Sequence, residues 1–227
     1  MRHLITNPYA LQYLDEFRKD FATRNQAART TQFYGEKILI NPGVFPSDST
    51  YSFSTQSILS SVSADHRRGD LLDIASVCDV GTGCGVFLCV LRRLFESAYF
   101  VGLEIDPNAR YNAALNLITS HNLNYSLLIS DLFAATDEKF DLVITSLPFV
   151  CDLRYGNEID VNTLARFWEQ VEDRLTDRGR VYINWASWAD FSLFETIAEG
   201  TSLKRLRVDD FPNVVQDFSW KTYVFTR

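Results

Sequence analysis

Between Val77 and Leu88 the chain reads Val-Cys-Asp-Val-Gly-Thr-Gly-Cys-Gly-Val-Phe-Leu. An apolar run ends in three alternating glycines, and a helical pattern follows. Glycine has no side chain and tolerates positive φ, so backbone at such a turn can come very close to a ligand. The helix that follows aims its unpaired N–H groups at the same place. The chemistry on offer is the binding of a nucleotide-like molecule. A second group points the same way. Tyr99-Phe100-Val101-Gly102-Leu103-Glu104 is another apolar run that ends in an acid. A carboxylate there can accept both hydroxyl protons of a ribose in charge-assisted hydrogen bonds. NAD-binding folds share an acid at this place, so Glu104 alone does not identify the ligand.

The spacing of the glycines narrows the choice. The dinucleotide fingerprint is Gly-x-Gly-x-x-Gly. Here the pattern is Asp79-x-Gly81-x-Gly83-x-Gly85, with Val86 where the fingerprint places its third glycine. This pattern resembles motif I of the class I S-adenosylmethionine-dependent methyltransferases. The resemblance spans about residues 42–227. It implies S-adenosylmethionine as cofactor. Asp79, Gly81, Thr82, Gly83 and Gly85 would form its binding turn, with Asp79 on the methionine side. Glu104, with Ile105 beside it, would hold the ribose. Ser130-Asp131-Leu132-Phe133 resembles the family position whose acid takes the adenine amino group. Asp131 would then accept from the amine, and Leu132 or Phe133 would cover a face of the ring. Asp106 reads as a helix cap and not as a ligand contact.

The fourth motif is Ser146-Leu147-Pro148-Phe149. It resembles the [Asp/Asn/Ser]-Pro-Pro-[Tyr/Phe] motif of methyltransferases that act on amide or exocyclic amine nitrogens. The resemblance is to the release-factor glutamine and adenine methylase group. The lone pair of such a nitrogen is delocalised and weakly nucleophilic. Groups that accept its N–H protons localise the lone pair, and an aromatic ring holds the planar group flat. Ser146 and the Leu147 carbonyl would be the acceptors, Pro148 would shape the turn, and Phe149 would be the platform. Ser146 would also border the cofactor. Serine offers one hydroxyl where the commoner asparagine offers an amide, so a different nucleophile stays open. Pro42–Ser49 resembles the loop that precedes the core domain in this group, with Phe45, Asp48 and Ser49 as lid residues; a plain connector is the alternative.

Regular elements must position these groups. Residues 7–28 carry Ala10, Leu14, Phe17 and Phe21 at helical steps. Residues 32–41 suggest two short strands around Gly35-Glu36, and a helix is expected over 53–65, capped from Ser47–Thr50. Strand-like runs then appear at 75–80, 98–103, 125–130, 140–146 and 180–185. Helical stretches lie between them at 84–96, 107–120 and 160–177, the last stopping at Gly179. Asp106 and Pro107 are placed as cap and first residue of the second. Alternating strands and helices predict a parallel sheet covered on both faces. A helix near 189–199 and two strands near 202–209 and 218–226 close the chain as an antiparallel pair.

The expected architecture is an α/β, Rossmann-like class I methyltransferase fold. It has a seven-stranded, mostly parallel sheet with an antiparallel last strand and helices on both faces. Residues 1–66 form an extension that serves as lid or substrate element, and 67–227 form the cofactor-binding domain. The formal net charge is −7 over 227 residues. An acidic chain lacks the broad basic footprint that drives nucleic-acid binding. No apolar run reaches the ~20 residues of a membrane helix, and no signal peptide is read at the start. The four cysteines form no Cys-x-x-Cys pair, which fits buried thiols in the cytoplasm and no metal site. The leading function is N-methylation on a protein or nucleic acid. Alternatives are a small-molecule methyltransferase, or a non-catalytic S-adenosylmethionine-binding protein; the acceptor (protein, RNA or small molecule) stays open.

Overall fold

The sheet follows from the apolar runs. In a computed structural model that describes residues 3–5, 7–24, 26–46, 52–118, 124–148, 158–189, 191–212 and 219–227, four of them become parallel neighbours. They are β4 (Ser76–Val80), β5 (Tyr99–Glu104), β6 (Asn124–Ile129) and β7 (Phe140–Thr145). β9 (Leu175–Ala186) joins parallel to β7. The full order is β10-β11-β9-β7-β4-β5-β6. β11 (Ser219–Thr226) is antiparallel to both β9 and β10 (Lys204–Pro212), so the last strand reverses as expected. It enters between two earlier strands, because the short connection after β10 permits only an antiparallel return.

Successive side chains of a strand point to opposite faces, and both faces are buried here. Val80, Val101, Leu103 and Val143 pack with α5 (Val161–Val171) and α6 (Phe191–Ala198) through Phe167, Trp168 and Phe194. Ala10 and Leu14 of α1 (Pro8–Arg24) join the same face. Val77, Phe100, Leu142 and Ile144 pack on the other face with Ile58, Leu88 and Ala113. Those residues belong to α2 (Phe53–Arg68), α3 (Val86–Leu91) and α4 (Pro107–Leu117). Asp65 of α2 is fully buried and bonds Tyr182 and Arg207 of the sheet, which fixes α2 across β9 and β10.

A hairpin of β2 (Arg29–Phe33) and β3 (Glu36–Ile40) precedes α2, turning at Tyr34-Gly35. Asparagines at one face of α4 pin it down. The Leu39 N–H donates to Asn116 Oδ1 at 2.7 Å, and the Asn41 N–H to Asn112 Oδ1 at 2.6 Å. A short pair, β1 (His3–Leu4) with β8 (Glu158–Ile159), ties the start of the chain to the segment ahead of α5.

Two expected boundaries are corrected. The first helix after the glycine turn ends at Leu91 and not at 96. α5 ends at Val171 with one 3₁₀ turn to Arg174, and Gly179 lies inside β9 and not at a helix stop. Leu175 pairs with Phe140 but Arg180 with Leu142, so β9 bulges there. A Cβ at Gly179 would stand 2.8 Å from the Phe140 carbonyl, so only glycine fits. α2 starts at Phe53 with Ser52 as N-cap, which makes no side-chain cap bond; the expected caps at 47–50 lie outside the described residues.

Candidate active site

Parallel strands deliver their carboxyl ends to one edge of the sheet, and ligands of open α/β sheets bind there. β4 ends at Val80, β5 at Glu104, β6 at Ile129 and β7 at Thr145. The four residue groups singled out in the sequence follow these ends directly. Val80, Gly81, Thr82, Gly83, Glu104, Ile105, Asp131, Leu132, Ser146, Leu147 and Pro148 all line one cleft of about 420 Å³. Phe149, Asp48 and Ser49 lie outside the described residues.

Backbone hydrogen bonds tie the glycine turn to β5. The Gly81 and Thr82 N–H groups donate to the Leu103 carbonyl at 2.8 and 3.1 Å. The Gly83 N–H donates to Glu104 Oε2 at 2.7 Å, and the Asp106 N–H to Glu104 Oε1 at 2.9 Å. Each Glu104 oxygen thus takes one backbone proton and keeps a lone pair for a ligand. Asp106 caps α4 through the Asn108 N–H at 2.8 Å, the role expected of it.

The glycines differ in what requires them. All three have positive φ. A Cβ at Gly81 would meet nothing within 4 Å, so the space above the turn is open for a ligand. A Cβ at Gly85 would meet Ala113 Cβ at 3.1 Å. Gly85 does not border the cleft, and it serves the packing of α3 on α4. Its expected place in the binding turn is therefore indirect.

Asp79 also stands back from the cleft. It is fully buried, and neither carboxylate oxygen has a partner among the described residues. The Thr82 hydroxyl donates to the Asp79 carbonyl at 2.9 Å. Burial, and after it the charge of Glu104, holds the Asp79 carboxyl well above the usual carboxylate range. The residue lies beneath the turn and does not border the cleft.

Asp131 is half-exposed and accepts from Arg166 Nη2 of α5 at 2.6 Å. Leu132 is buried at φ 51°, a conformation uncommon for leucine, and it faces the cleft. Ile105 is 64% exposed on the same wall. The Ser130 hydroxyl, bonded to the Leu132 carbonyl at 2.6 Å, holds this bend closed.

Apart from Phe45, offered as a lid residue, sequence reasoning did not single out the side chains of the opposite wall. Tyr13, Leu14 and Phe17 of α1, Phe45, Thr163 of α5 and Trp220 of β11 also line the cleft. Phe17 and Phe45 meet with ring centroids 5.6 Å apart. The Asn108 side chain donates to the Pro42 carbonyl at 3.0 Å and so anchors the loop that carries Phe45. Helical periodicity shows that α1 has an apolar face, but not that the face covers a cleft built 70 residues later. Ser54 and Thr55 open α2 on the same cavity.

The donor set suits S-adenosylmethionine. Open space above Gly81, two acids in the order Glu104 and Asp131, and an apolar side chain at Ile105 match its polar tail, ribose and adenine. Among the described residues no group of acids, cysteines and histidines is placed to hold a metal ion.

The fold is the Rossmann-like class I methyltransferase fold. Solved neighbours share it at low identity. Magnesium protoporphyrin IX methyltransferase of Synechocystis, crystallised with bound S-adenosylmethionine, superposes with TM-score 0.62 at 14% identity, over 96% of this chain and 97% of its own. The ribosomal protein L11 methylase of Lactobacillus delbrueckii gives 0.59 at 17% identity over 81% of each chain. Residues 35–193 match the methyltransferase small domain, and the chain belongs to that family. Its cofactor is S-adenosylmethionine. Curated relatives include the ribosomal RNA small subunit methyltransferase C of Mannheimia succiniciproducens, 34% identical over 51% of this chain and 32% of its own. The tRNA1(Val) (adenine(37)-N6)-methyltransferase of Pedobacter heparinus is 30% identical over 45% and 47%. The release factor glutamine methyltransferase of Buchnera aphidicola is 28% identical over 34% and 27%. The matched region spans less than half the length of each of these relatives.

Proposed function

We propose that this methyltransferase N-methylates a planar amide or exocyclic amine nitrogen on a protein or nucleic acid. One observation carries the reading: Ser146, Leu147 and Pro148 border the same cleft as the glycine turn and Glu104. The curated relatives agree in kind, since their names include an adenine N6 and a glutamine methyltransferase. S-adenosylmethionine supplies an already activated methyl group when bound. The chain's residues then have mainly to position the acceptor, a task worth on the order of 7–11 kcal/mol for well-oriented pairs. The Ser146 hydroxyl and the Leu147 carbonyl accept the acceptor's N–H protons. Phe149 supplies the flat platform. Residues 1–66 act as the substrate or lid element, a reading supported by Tyr13, Leu14, Phe17 and Phe45, which line the cleft. No helix among the described residues is long and apolar enough to cross a membrane.

The test is transfer of labelled methyl groups from S-adenosylmethionine to the protein, RNA and small-molecule fractions of a lysate. Label is expected in protein or RNA, and Ser146→Ala should lower turnover more than it lowers cofactor affinity. Label confined to small molecules would overturn the acceptor class.

A further inference from the structure

The adenine-side acid does not stand alone. α5 presents Arg166, Phe167 and Gln170 on one helical face at three- and four-residue steps, and all three engage the bend after β6. Arg166 Nη2 donates to Asp131 Oδ2 at 2.6 Å. The Phe167 ring stacks on Phe133 with centroids 5.9 Å apart. Gln170 Oε1 accepts the Phe133 N–H at 3.4 Å. One turn earlier, Thr163 reaches the cleft itself. Its N–H and hydroxyl are held by the cap residue Asp160 at 3.0 and 2.7 Å. The bend is therefore clamped along one face of α5. Its last side chain before the cleft is a carboxylate with one oxygen occupied. Asp131 borders the cleft and Arg166 does not.

We propose that Arg166 is a positioning residue for recognition of the cofactor's adenine. It fixes the Asp131 carboxylate by one oxygen, so that Oδ1 is presented to the 6-amino group. This rests on the assignment of Asp131 to adenine. The physical reason is orientation. An unpaired aspartate at a half-exposed bend samples several rotamers and is hydrated, and both effects dilute discrimination between an amino and an oxo group. A guanidinium on the far oxygen holds one rotamer and leaves Oδ1 to accept. The pair itself is exposed, and such pairs contribute little to stability. Its consequence is therefore expected in ligand selectivity and not in folding.

The experiment is calorimetric titration of the full chain with S-adenosylhomocysteine and with its 6-oxo analogue, the inosine form. Wild type is expected to prefer the amino form by about tenfold or more, the size of a hydrogen bond to a charged acceptor. Asp131→Ala should abolish the preference. Arg166→Ala should lower it by about two- to fivefold without lowering the melting temperature, and Arg166→Lys should recover part of it. The double variant should discriminate no worse than Asp131→Ala. If Asp131→Ala leaves the preference intact, the adenine assignment itself fails, and the proposal with it. If Asp131→Ala abolishes it while Arg166→Ala weakens both ligands equally, or tightens them, the assignment stands and the positioning role of Arg166 is overturned.

Discussion

Replacing Asp79 by asparagine should make the ligand-free protein relatively more stable as pH rises. The Asp79 side chain is fully buried on β4, and neither oxygen has a partner among the described residues. Burial first, and the Glu104 charge second, raise its folded pKa well above the usual range. In the unfolded chain the same group titrates near 3.9. Below that pH both states hold the proton, and the group does not affect the folding balance. Above it the unfolded chain loses the proton while the native one keeps it. Stability is therefore lost as pH climbs toward the folded pKa, by at most about 1.4 kcal/mol per pH unit. Asparagine has the same shape and no proton to lose, so its own burial cost is constant. For a chain of this size 1 kcal/mol corresponds to about 2–4 °C in Tm. The Tm of Asp79→Asn minus that of wild type should then widen from pH 5 to pH 6, by up to about 3–6 °C. Thermal melts of both proteins by circular dichroism at those pH values measure the gap directly. All other titrating groups are common to the two proteins and cancel. A gap that stays flat or narrows with pH would refute the raised pKa of the buried acid.

Three further outcomes follow from the site and core. Glu104→Ala removes a carboxylate that holds the Gly83 and Asp106 N–H groups and should weaken S-adenosylmethionine binding by about tenfold or more; unchanged affinity by calorimetry would remove Glu104 from the ribose site. Gly81→Ala and Gly85→Ala separate ligand space from packing. Both put a side chain at positive φ, at a cost of about 1–2 kcal/mol. Only Gly85→Ala also presses on Ala113, so it should melt lower, whereas Gly81→Ala should lose more cofactor affinity. Phe194 is fully buried against Trp168, Trp185 and Tyr223, and Phe194→Ala should cost about 3–5 kcal/mol in urea unfolding.

Much of the site was legible because its parts are local. A strand end, a glycine turn and a helix start occupy one short segment, so Asp79–Val86 announces itself. Glu104 and Asp131 were legible by the same logic, as acids at the ends of apolar runs. Sequence was less able to say what each residue faces. Asp79 and Gly85 sit in the motif beside Gly81, yet one lies beneath the turn and the other against α4. Residues one or two apart on a turn point in different directions, and only neighbouring elements decide which direction is the cleft. The length of α5 was overstated because Asp177-Arg178-Gly179 reads as a helix stop. The bulge of β9 against Phe140 is a cross-strand event with no local signature.

The sequence by itself determined the class of the protein. Alternating periodicities dictated a parallel sheet with helices on both faces. The spacing Gly81-x-Gly83-x-Gly85, with acids after the next two strands, pointed to S-adenosylmethionine, because backbone approach and hydrogen-bond acceptance depend on residue type and local geometry. Tertiary structure alone decided what closes the cleft and what orients its acids. Tyr13 and Phe17 come from ahead of the core, Trp220 from its last strand, and Arg166 from a helix 35 residues beyond Asp131. Their convergence is set by the packing of α1 and α5 on one face of the sheet. Contacts between distant segments leave no period in the chain, so they appear only once the sheet order has brought those segments together.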